Sequence, residues 1–483
     1  MNDEFLKKAE SLKPELYKTE IIAEGDYGVV VKGENRVFDL KNYFVGRCRI
    51  KFSTSGGVID GPAFLAVTFA ETKEELSVSP FGVKSTISGA WIQKEYFHLD
   101  YPACEYEFDR RYACRYMKVE CIDASAWYKL HIDQIVFTEE TSAFGEISSD
   151  FSDKELNSID ETALRTMRSC MQEVFENGPK RDRRLWLGDL RLQALVNYQT
   201  YKNYDLVKRC LYLFAVTADQ TGRIKGSVFT GHGVYTEPLS VMFDYPLLFI
   251  PTLYEYLCAT GDSETAEELY PTAIGQLKAT ACVFAADGKA VAARNMGWCF
   301  IDWDDELDKE ACAVAVYIYA LKYAAFLSEK LAKLTDEFKK QIDERRAAAI
   351  SNYYDSRLGF FVGKNGQISY AENAWFCLVE VLPAEERKRI LLGLSGVEGA
   401  LKPKTPYAYH YFIQALIDCG EKGCALSLLR EYWGGMKKVC ENTFPEIYNP
   451  QNADGNPYGC KALLSNCHAW SSTPSYFLRK YFG

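Results

Sequence analysis

The sequence predicts a multidomain β + α protein, with an N-terminal antiparallel β-sandwich followed by an (α/α)6 barrel. Its hydrophobic pattern changes from short alternating segments before residue 140 to helical spacing after residue 150. About twelve helical segments follow that change, which is the number that six helical hairpins require. We therefore predict a carbohydrate-binding-like β-sandwich domain over residues 1–148 and a barrel domain over residues 149–483.

The strands of the first domain are predicted from short β-rich runs separated by Gly, Asn and Asp. The runs are TEIIAEG, YGVVVKG, RCRIKFST, FLAVTFAE, RYMKVECI and LHIDQIVF. Runs of this length and spacing are typical of an antiparallel β-sandwich.

The helical region begins after FGEISSDFSDKELNSIDET, where Ser152 or Asp153 can cap a first helix. Turn signals such as TGD, DSRLG and DCGEKG separate several of the helices that follow. No fixed-period repeat is present, which argues against a helical solenoid. The predicted helices lie near 155–175, 188–201, 204–219, 238–260, 263–285, 307–331, 335–353, 369–381, 384–394, 405–418, 421–435 and 467–479.

The composition excludes several classes of partner. The 483 residues carry a net charge of −10, so an electrostatic attraction to nucleic acid or to an anionic membrane is not expected. No apolar run has the length of a signal peptide or of a membrane span. The sixteen cysteines are scattered without a CxxC pair, as expected for free thiols in a reducing compartment. We predict a cytoplasmic protein that needs no metal and no cofactor, and the oligomeric state stays open.

Aromatic residues make up 14% of the chain, and they fit two uses. Most of them are expected in the core of a large helical domain. Others suit a sugar site, because an aromatic face covers the apolar face of a pyranose while polar groups bind its hydroxyls.

The segment ENGPKRDRRLWLGDLRLQALVNYQTY, at 176–201, is the first candidate for chemistry. Its acids Asp182 and Asp189 are seven residues apart, with Trp186 between them and arginines, including Arg181, on either side. Asp189 could cap the next helix. A salt-bridged loop ahead of a helix would explain the same composition, so both interpretations stay open.

Two more segments combine acids with aromatic residues. In the segment 432–455, Glu446 lies between Phe444 and Tyr448, where burial would raise the pKa of the carboxyl towards the range of proton transfer. An exposed acid in a loop would explain the same segment, so this alternative stays open. In the segment 296–311, the acids and tryptophans suit hydrogen bonding and stacking on a sugar, although helix-start acids explain some of them equally well. The candidates added by these segments and by nearby aromatic-flanked histidines are Trp298, Asp302, Trp303, His410, His468 and Trp470.

The segment GPKRDRRLWLGDLR resembles the signature of the family 78 glycoside hydrolases, the α-L-rhamnosidases. That signature has the form D-(C/G)-P-(Q/K)-R-(D/E)…W-x-G-D, and this chain also has a DW segment midway and a TFPE element near its end. The order of these motifs and the C-terminal CHAWSSTPSYFL resemble a short branch of the family.

The resemblance implies an inverting hydrolase that removes terminal α-L-rhamnose, or a related deoxyhexose, from glycosides or oligosaccharides. It places Asp182 at the general acid and Glu446 at the base that activates water. It places Trp186, Asp189 and Asp302 among the residues that bind sugar.

Two positions depart from the family pattern, because Asp182 stands where a glutamate is usual and Asn177 where a sugar-binding aspartate is usual. The side chain at 182 is shorter by one methylene, a reach of about 1.5 Å, and misplacement of about 1 Å can slow a reaction by about 10²-fold. The alternatives are a non-catalytic sugar-binding protein on the same fold and an (α/α)-barrel glycosidase of other specificity. A further alternative is a polysaccharide lyase that uses Tyr and His near 405–412.

Overall fold

The N-terminal domain is an antiparallel sheet of nine strands. The computed structural model describes residues 3–231, 233–237, 241–281, 284–285, 287–289, 297–452 and 455–483. The strands are β1 (Tyr17–Ile22), β2 (Glu24–Gly25), β3 (Gly28–Val30), β4 (Asn35–Gly56), β5 (Ala63–Ala70), β6 (Gln93–Leu99), β7 (Glu105–Glu107), β8 (Tyr112–Asp123) and β9 (Tyr128–Thr141). Their order in the sheet is β1-β9-β4-β8-β5-β6, with β2 and β7 also paired to β4 and β3 paired to β9.

The long strand β4 joins the two halves of this sheet. Its first part pairs with β8 and its second part pairs with β9, and the change occurs at Gly46. A Cβ atom at Gly46 would lie 1.8 Å from the carbonyl oxygen of Thr138, so only glycine allows this close approach. Phe38 from the first part and Ile50 from the second are both fully buried in the same apolar core. Each of the six segments predicted as strands contains a strand. Strands β6 and β7 were not predicted, because no strand pattern was recognised in their sequences.

The remainder of the described chain is mainly helical, as predicted. All twelve predicted segments contain a helix, although residues 238–240 and 282–283 of two predicted ranges lie outside the described residues. The helices are α1 (Asp3–Ser11), α2 (Lys154–Cys170), α3 (Leu187–Gln199), α4 (Tyr204–Val216), α5 (Asp244–Thr260), α6 (Ser263–Thr280), α7 (Lys309–Lys330), α8 (Asp336–Tyr353), α9 (Tyr370–Leu378), α10 (Ala384–Gly393), α11 (Pro406–Asp418), α12 (Lys422–Lys437) and α13 (Pro474–Phe477), which continues as a π-helix over Leu478–Phe482.

Burial separates these helices into an inner and an outer layer. Every residue of α9 is buried, whereas α8 buries only Ile342 and Ala349. A helix that is apolar on all sides has to be buried on all sides, and alternation of such helices with amphipathic ones produces the two layers of a six-hairpin barrel. Helix α7 is long and apolar enough to cross a membrane, but 83% of its apolar stretch is buried inside the protein, as expected of an inner helix.

Side-chain caps fix where several helices begin. The carboxylate of Asp153 accepts hydrogen bonds from the backbone N–H groups of Glu155 and Leu156, so Asp153 is the cap that the sequence left open between two residues. Thr405 caps α11 in the same way, with Pro406 in the first turn. The boundary between the domains lies after the last strand of the sheet, which ends at Thr141, and before α2, which begins at Lys154. Helix α1 precedes the sheet in sequence but packs against α4 of the helical domain. The division at residue 148 stays a prediction.

A buried ion-pair network joins the sheet domain to the barrel. The Nζ atom of Lys180 lies 2.8 Å from a carboxylate oxygen of Glu71 and 2.8 Å from one of Glu75. The Tyr43 hydroxyl and the Asn466 backbone N–H also donate to Glu71. Burial raises the pKa of Glu75 to about 7, although the Lys180 charge opposes that rise. The network therefore depends on the Lys180 ammonium group.

We expect Lys180→Met to lower the free energy of unfolding by about 3–5 kcal/mol, because removing one partner leaves buried charges uncompensated. Chemical denaturation monitored by fluorescence measures this change. The matched control is Lys41→Met, which removes an exposed ion pair with Glu24 and should leave the free energy of unfolding nearly unchanged. Equal effects of the two substitutions would contradict a stabilising role for the network.

Candidate active site

A cavity of about 210 Å³ lies beside the N-terminal ends of α3 and α5, which contribute Asp189 and Tyr245. Of the twelve predicted site residues, only Asp302 and His410 are absent from its lining. The cavity is lined by Ile87, Asn177, Arg181, Asp182, Trp186, Asp189, Tyr245, Trp298, Phe300, Trp303, Glu446, Tyr458, His468 and Trp470.

One guanidinium group links the two acids that the resemblance marked as catalytic. Arg181 Nη1 donates to Asp182 Oδ1 at 3.1 Å, and Arg181 Nη2 donates to Glu446 Oε2. The hydroxyl of Tyr458 donates to the other oxygen, Glu446 Oε1, at 2.5 Å. Arg181 is itself held by a hydrogen bond from its Nε to the Leu463 carbonyl oxygen at 2.9 Å. Asp182 and Glu446 therefore contact different nitrogen atoms of one guanidinium group in the same cavity, despite their distance in sequence.

The surroundings of Glu446 favour its ionised form. Burial alone would raise the pKa of this carboxyl, but the charges of Arg181 and His468 and the hydrogen bonds from Tyr458 and Arg181 outweigh it and lower the pKa below the usual glutamate value. The expectation of a raised pKa was therefore wrong in sign, because burial was counted without the arginine. A buried carboxylate that stays ionised can accept a proton from water.

We expect Arg181→Met to move the acidic limb of the pH profile of kcat/KM to higher pH. The lowered pKa of Glu446 means that a base at this position is lost only as the pH falls through that low value. Without the guanidinium, burial dominates and the pKa rises, so the base becomes protonated at a higher pH. Arg181→Lys, which keeps a positive charge, should shift the limb less. An acidic limb that both variants leave unmoved would contradict the role of Glu446 as a base held ionised by Arg181.

The basic residues around Asp182 anchor the loop that carries it. Lys180 binds the acids of the sheet domain, as described above. Arg183 donates to the Gln93 side chain at 3.1 Å, and Arg184 lies 3.4 Å from the carboxylate of Glu237. The side-chain oxygen of Asn177 accepts a hydrogen bond from the backbone N–H of Arg184 at 3.4 Å. The loop is therefore salt-bridged, and it also places Arg181 and Asp182 in the cavity.

Asp189 does not cap α3, which corrects one prediction. The residue at the N-cap position is Trp186, whose side chain makes no capping hydrogen bond. Asp189 instead lies in the first turn, where its Oδ1 is 3.1 Å from His468 Nε2, and both side chains are almost fully buried. Burial raises the pKa of Asp189, and the hydrogen bond to His468 opposes that rise. A Cβ atom at Gly188 would lie 2.4 Å from the ring of Tyr245, so glycine is needed between Trp186 and Asp189.

Aromatic rings form the walls of the cavity. Phe300 and Trp470 are stacked with ring centres 5.4 Å apart, and Trp303 contacts both Phe300 and Tyr458 edge-on. Trp298, which is 42% exposed, lies 5.7 Å from Trp303 between ring centres. Such walls suit the apolar face of a ring-shaped ligand.

Three buried nitrogen atoms on the lining have no hydrogen-bond partner within the part of the chain that the structure describes. They are the Nε1 atoms of Trp186 and Trp303 and the Nδ1 atom of His468. An unpaired buried polar atom costs free energy, so a ligand hydroxyl that bonded these atoms would be stabilising.

Asp302 and His410 lie outside the cavity, which corrects their predicted contact with sugar. The carboxylate of Asp302 accepts hydrogen bonds from the Thr405 hydroxyl and from the backbone N–H groups of Lys404 and Trp303, so it holds the start of α11 in place. Burial raises its pKa to about 6. His410 lies within α11 among the rings of Tyr411, Tyr476 and Phe477. A lyase mechanism that uses His410 as a base at this cavity has no support from its position.

Four lining residues were missed by the sequence analysis: Ile87, Tyr245, Phe300 and Tyr458. Phe300 lies within the segment that drew attention to Trp298 and Trp303, so proximity in sequence could have indicated it. Ile87 comes from the sheet domain, whose neighbouring Ser85 hydroxyl donates to the Tyr458 carbonyl oxygen at 2.6 Å. Contacts between residues so distant in sequence leave no local pattern.

Comparison with known families gives two matches that together cover most of the chain. Residues 9–139 match the glycosyl hydrolase family 78 alpha-rhamnosidase N-terminal domain. Residues 143–482 match the bacterial alpha-L-rhamnosidase 6 hairpin glycosidase domain. No curated protein sequence matches the chain significantly.

Comparison with solved structures gives similar folds. A rhamnosidase from Klebsiella oxytoca with rhamnose bound has a TM-score of 0.94 and 36% sequence identity, with 99% of this chain and 98% of that chain covered. A GH78 family rhamnosidase of Bacillus sp. GL1 has a TM-score of 0.80 and 22% identity, and the match covers 94% of this chain but 47% of that one. An α-L-rhamnosidase of Streptomyces avermitilis complexed with L-rhamnose has a TM-score of 0.71 and 17% identity, and covers 97% of this chain and 44% of that one. The last two comparisons support the fold alone.

Proposed function

This chain belongs to glycoside hydrolase family 78, and from that premise we propose that it is an inverting α-L-rhamnosidase. It removes terminal α-L-rhamnose, or a related deoxyhexose, from glycosides or oligosaccharides. The observation that carries the proposal is the pair of acids, Asp182 and Glu446, bridged by Arg181 in a cavity walled by tryptophans.

The reaction assigns one acid to the leaving group and one to water. Asp182 donates a proton to the glycosidic oxygen as the bond between that oxygen and the anomeric carbon breaks. Glu446 accepts a proton from a water molecule, whose oxygen forms the new bond on the opposite face of the sugar. Asp182 must regain its proton and Glu446 must lose one before the next turnover, so the net reaction consumes one water molecule. Inverting enzymes keep the two carboxyl groups roughly 6.5–9.5 Å apart to leave room for that water.

The lowered pKa of Glu446 supports its role as the base. Tyr458 and Arg181 each occupy one of its oxygens, yet a carboxylate oxygen has two lone pairs, so each can also accept from water. The same two donors fix the orientation of the carboxylate. A fixed acceptor reduces the reorganisation needed when the proton moves.

The walls of the cavity support a deoxyhexose ligand. The indole N–H groups of Trp186 and Trp303 can donate to sugar hydroxyls, and the rings of Phe300 and Trp470 offer apolar surface. A deoxyhexose has both kinds of surface, because its methyl group replaces a hydroxymethyl group. The Klebsiella oxytoca rhamnosidase of similar structure was solved with rhamnose bound.

Turnover of aryl glycosides tests the proposal directly. We expect the purified protein to release nitrophenol from nitrophenyl α-L-rhamnoside faster than from the corresponding glucoside, galactoside or mannoside. Proton NMR during the first turnovers should detect β-L-rhamnose before mutarotation, as inversion requires. If no aryl glycoside is cleaved faster than by a Glu446→Gln variant, the proposal fails.

The departures at Asn177 and Asp182 give the rival function a specific basis. A protein that kept the cavity but lost catalysis would bind rhamnose saturably in calorimetry without hydrolysing any glycoside. Its affinity would change little on replacement of Glu446 by glutamine. That combination of results would favour a sugar-binding protein over an enzyme.

A further inference from the structure

We propose that a second cavity, at the opposite end of the barrel, is a binding site for a neutral saccharide. This cavity has a volume of about 510 Å³ and is formed at the C-terminal ends of the inner helices. Its lining includes Arg191 and Tyr198 of α3, Glu255 of α5 and Tyr323 of α7. Helix α3 therefore contributes to both cavities, with Asp189 lining the first and Arg191 the second.

An ion pair at the base of the second cavity leaves polar atoms without partners. Arg191 Nη2 lies 2.6 Å from Glu255 Oε1, and the guanidinium also donates to the hydroxyls of Tyr319 and Tyr411. Arg191 is only 3% exposed. Among the described residues, no partner exists for Arg191 Nε, for Glu255 Oε2 or for the Tyr198 hydroxyl, and all three atoms are buried.

These three atoms define the hydrogen bonds that a ligand has to supply. Arg191 Nε can only donate, ionised Glu255 can only accept, and the Tyr198 hydroxyl can do both. A ligand hydroxyl is both a donor and an acceptor, so a ligand with several hydroxyls satisfies all three atoms. Buried groups of this kind are normally paired, so an occupant that bonded them would be stabilised by these contacts.

The charges in the second cavity balance, and this indicates a neutral occupant. Arg191 pairs with Glu255, and Lys322 Nζ lies 2.9 Å from a carboxylate oxygen of Glu380. The remaining lining charges are Lys480, which donates to the Tyr476 hydroxyl, and Asp418, which accepts from Gln414. No excess of positive charge remains to hold a phosphate or a uronate.

One wall of the second cavity is aromatic. The rings of Tyr254, Tyr323 and Phe326 contact one another with centres 5.4–5.7 Å apart. Aromatic faces beside a few convergent polar groups are the combination that covers a pyranose ring. The volume and the polar atoms together favour a monosaccharide or disaccharide.

Alkylation of Cys258 reports on occupancy, because this thiol is exposed and lies on the cavity lining. The internal control is Cys424, which is also exposed and does not line the cavity. The full-length protein is treated with iodoacetamide in the presence of L-rhamnose, maltose or glucuronate, and both sites are quantified by mass spectrometry. We expect saturable loss of alkylation at Cys258 with a neutral sugar, unchanged alkylation at Cys424, and no protection by glucuronate.

A variant separates a specific site from a general effect of sugar. Tyr198→Phe removes a hydroxyl that has no protein partner, so the fold should be retained and a melting curve verifies this. We expect its half-protecting sugar concentration to rise about fivefold, the effect of one neutral hydrogen bond. Unchanged Cys258 alkylation with both neutral sugars, equal protection of Cys424, or protection by glucuronate alone would overturn the proposal. The active-site cavity that contains Glu446 does not affect the alkylation of Cys258. A Glu446→Gln protein should therefore show the same protection of Cys258 by a neutral sugar.

Discussion

Replacing Glu446 by glutamine is expected to lower kcat by about 10²- to 10⁴-fold, the usual contribution of a positioned general base. The amide keeps the shape of the side chain but cannot take the proton of the attacking water. Every substrate needs that water, so rhamnosides with nitrophenol and with alkyl leaving groups should lose activity by a similar factor. Initial rates at saturating substrate measure the change.

The control for this prediction is Glu431→Gln, an exposed glutamate on α12 whose replacement should leave kcat unchanged. Azide provides a second test, because it can act as a small nucleophile in place of the activated water. We expect azide to raise the rate of a Glu446→Ala variant and to yield a rhamnosyl azide of inverted configuration. An azide product of retained configuration would exclude Glu446 as the base of an inverting reaction.

Replacing Asp182 by asparagine is expected to affect substrates unequally. An alkyl or sugar alcohol leaves only when its oxygen is protonated, so kcat/KM for such substrates should fall by about 10²- to 10⁴-fold. A nitrophenolate leaves with little help, so the nitrophenyl rhamnoside should be partly spared. The ratio of the two losses, measured on matched rhamnosides, identifies the proton donor.

Equal losses on both leaving groups would mean that Asp182 is not the general acid. Asp189 would then be the next residue to test, because it lines the cavity, whereas the carboxylate of Asp302 is occupied by Thr405 and by backbone N–H groups. Asp182→Glu is the informative companion variant. If the backbone of this chain compensates for the shorter side chain, the glutamate should bring no gain in kcat. If reach is limiting, the rate should rise, by up to about 10²-fold for about 1 Å.

The order of elements could be predicted from the sequence because the signals are local. Hydrophobic periodicity distinguishes strands from helices, and caps such as Asp153 and Thr405 act within a few residues of their own position. The signature segment and the TFPE element likewise indicated Asp182 and Glu446. These predictions used information carried by neighbouring residues.

The composition of the cavity required the tertiary structure, because its walls come from loops that are far apart in the chain. Asp302 and Trp303 are adjacent in sequence, yet only Trp303 lines the cavity, since the Asp302 carboxylate turns towards the start of α11. Ile87 reaches the cavity from the sheet domain and has no motif around it. Which way a side chain points depends on packing between elements, and a local pattern does not record that packing.

The sequence by itself determined the two domain types, the alternating helices of the barrel and the segments that carry the acids. Only the tertiary structure decided which ionisation state of Glu446 is favoured. The aromatic neighbours of Glu446 in sequence predicted burial and therefore a raised pKa, whereas the folded chain brings Arg181 against the carboxylate and the pKa is lowered. The charges of Arg181 and His468 and the hydrogen bonds from Tyr458 and Arg181 together outweigh the loss of solvation at Glu446, and these contacts form only when distant parts of the chain meet in the fold.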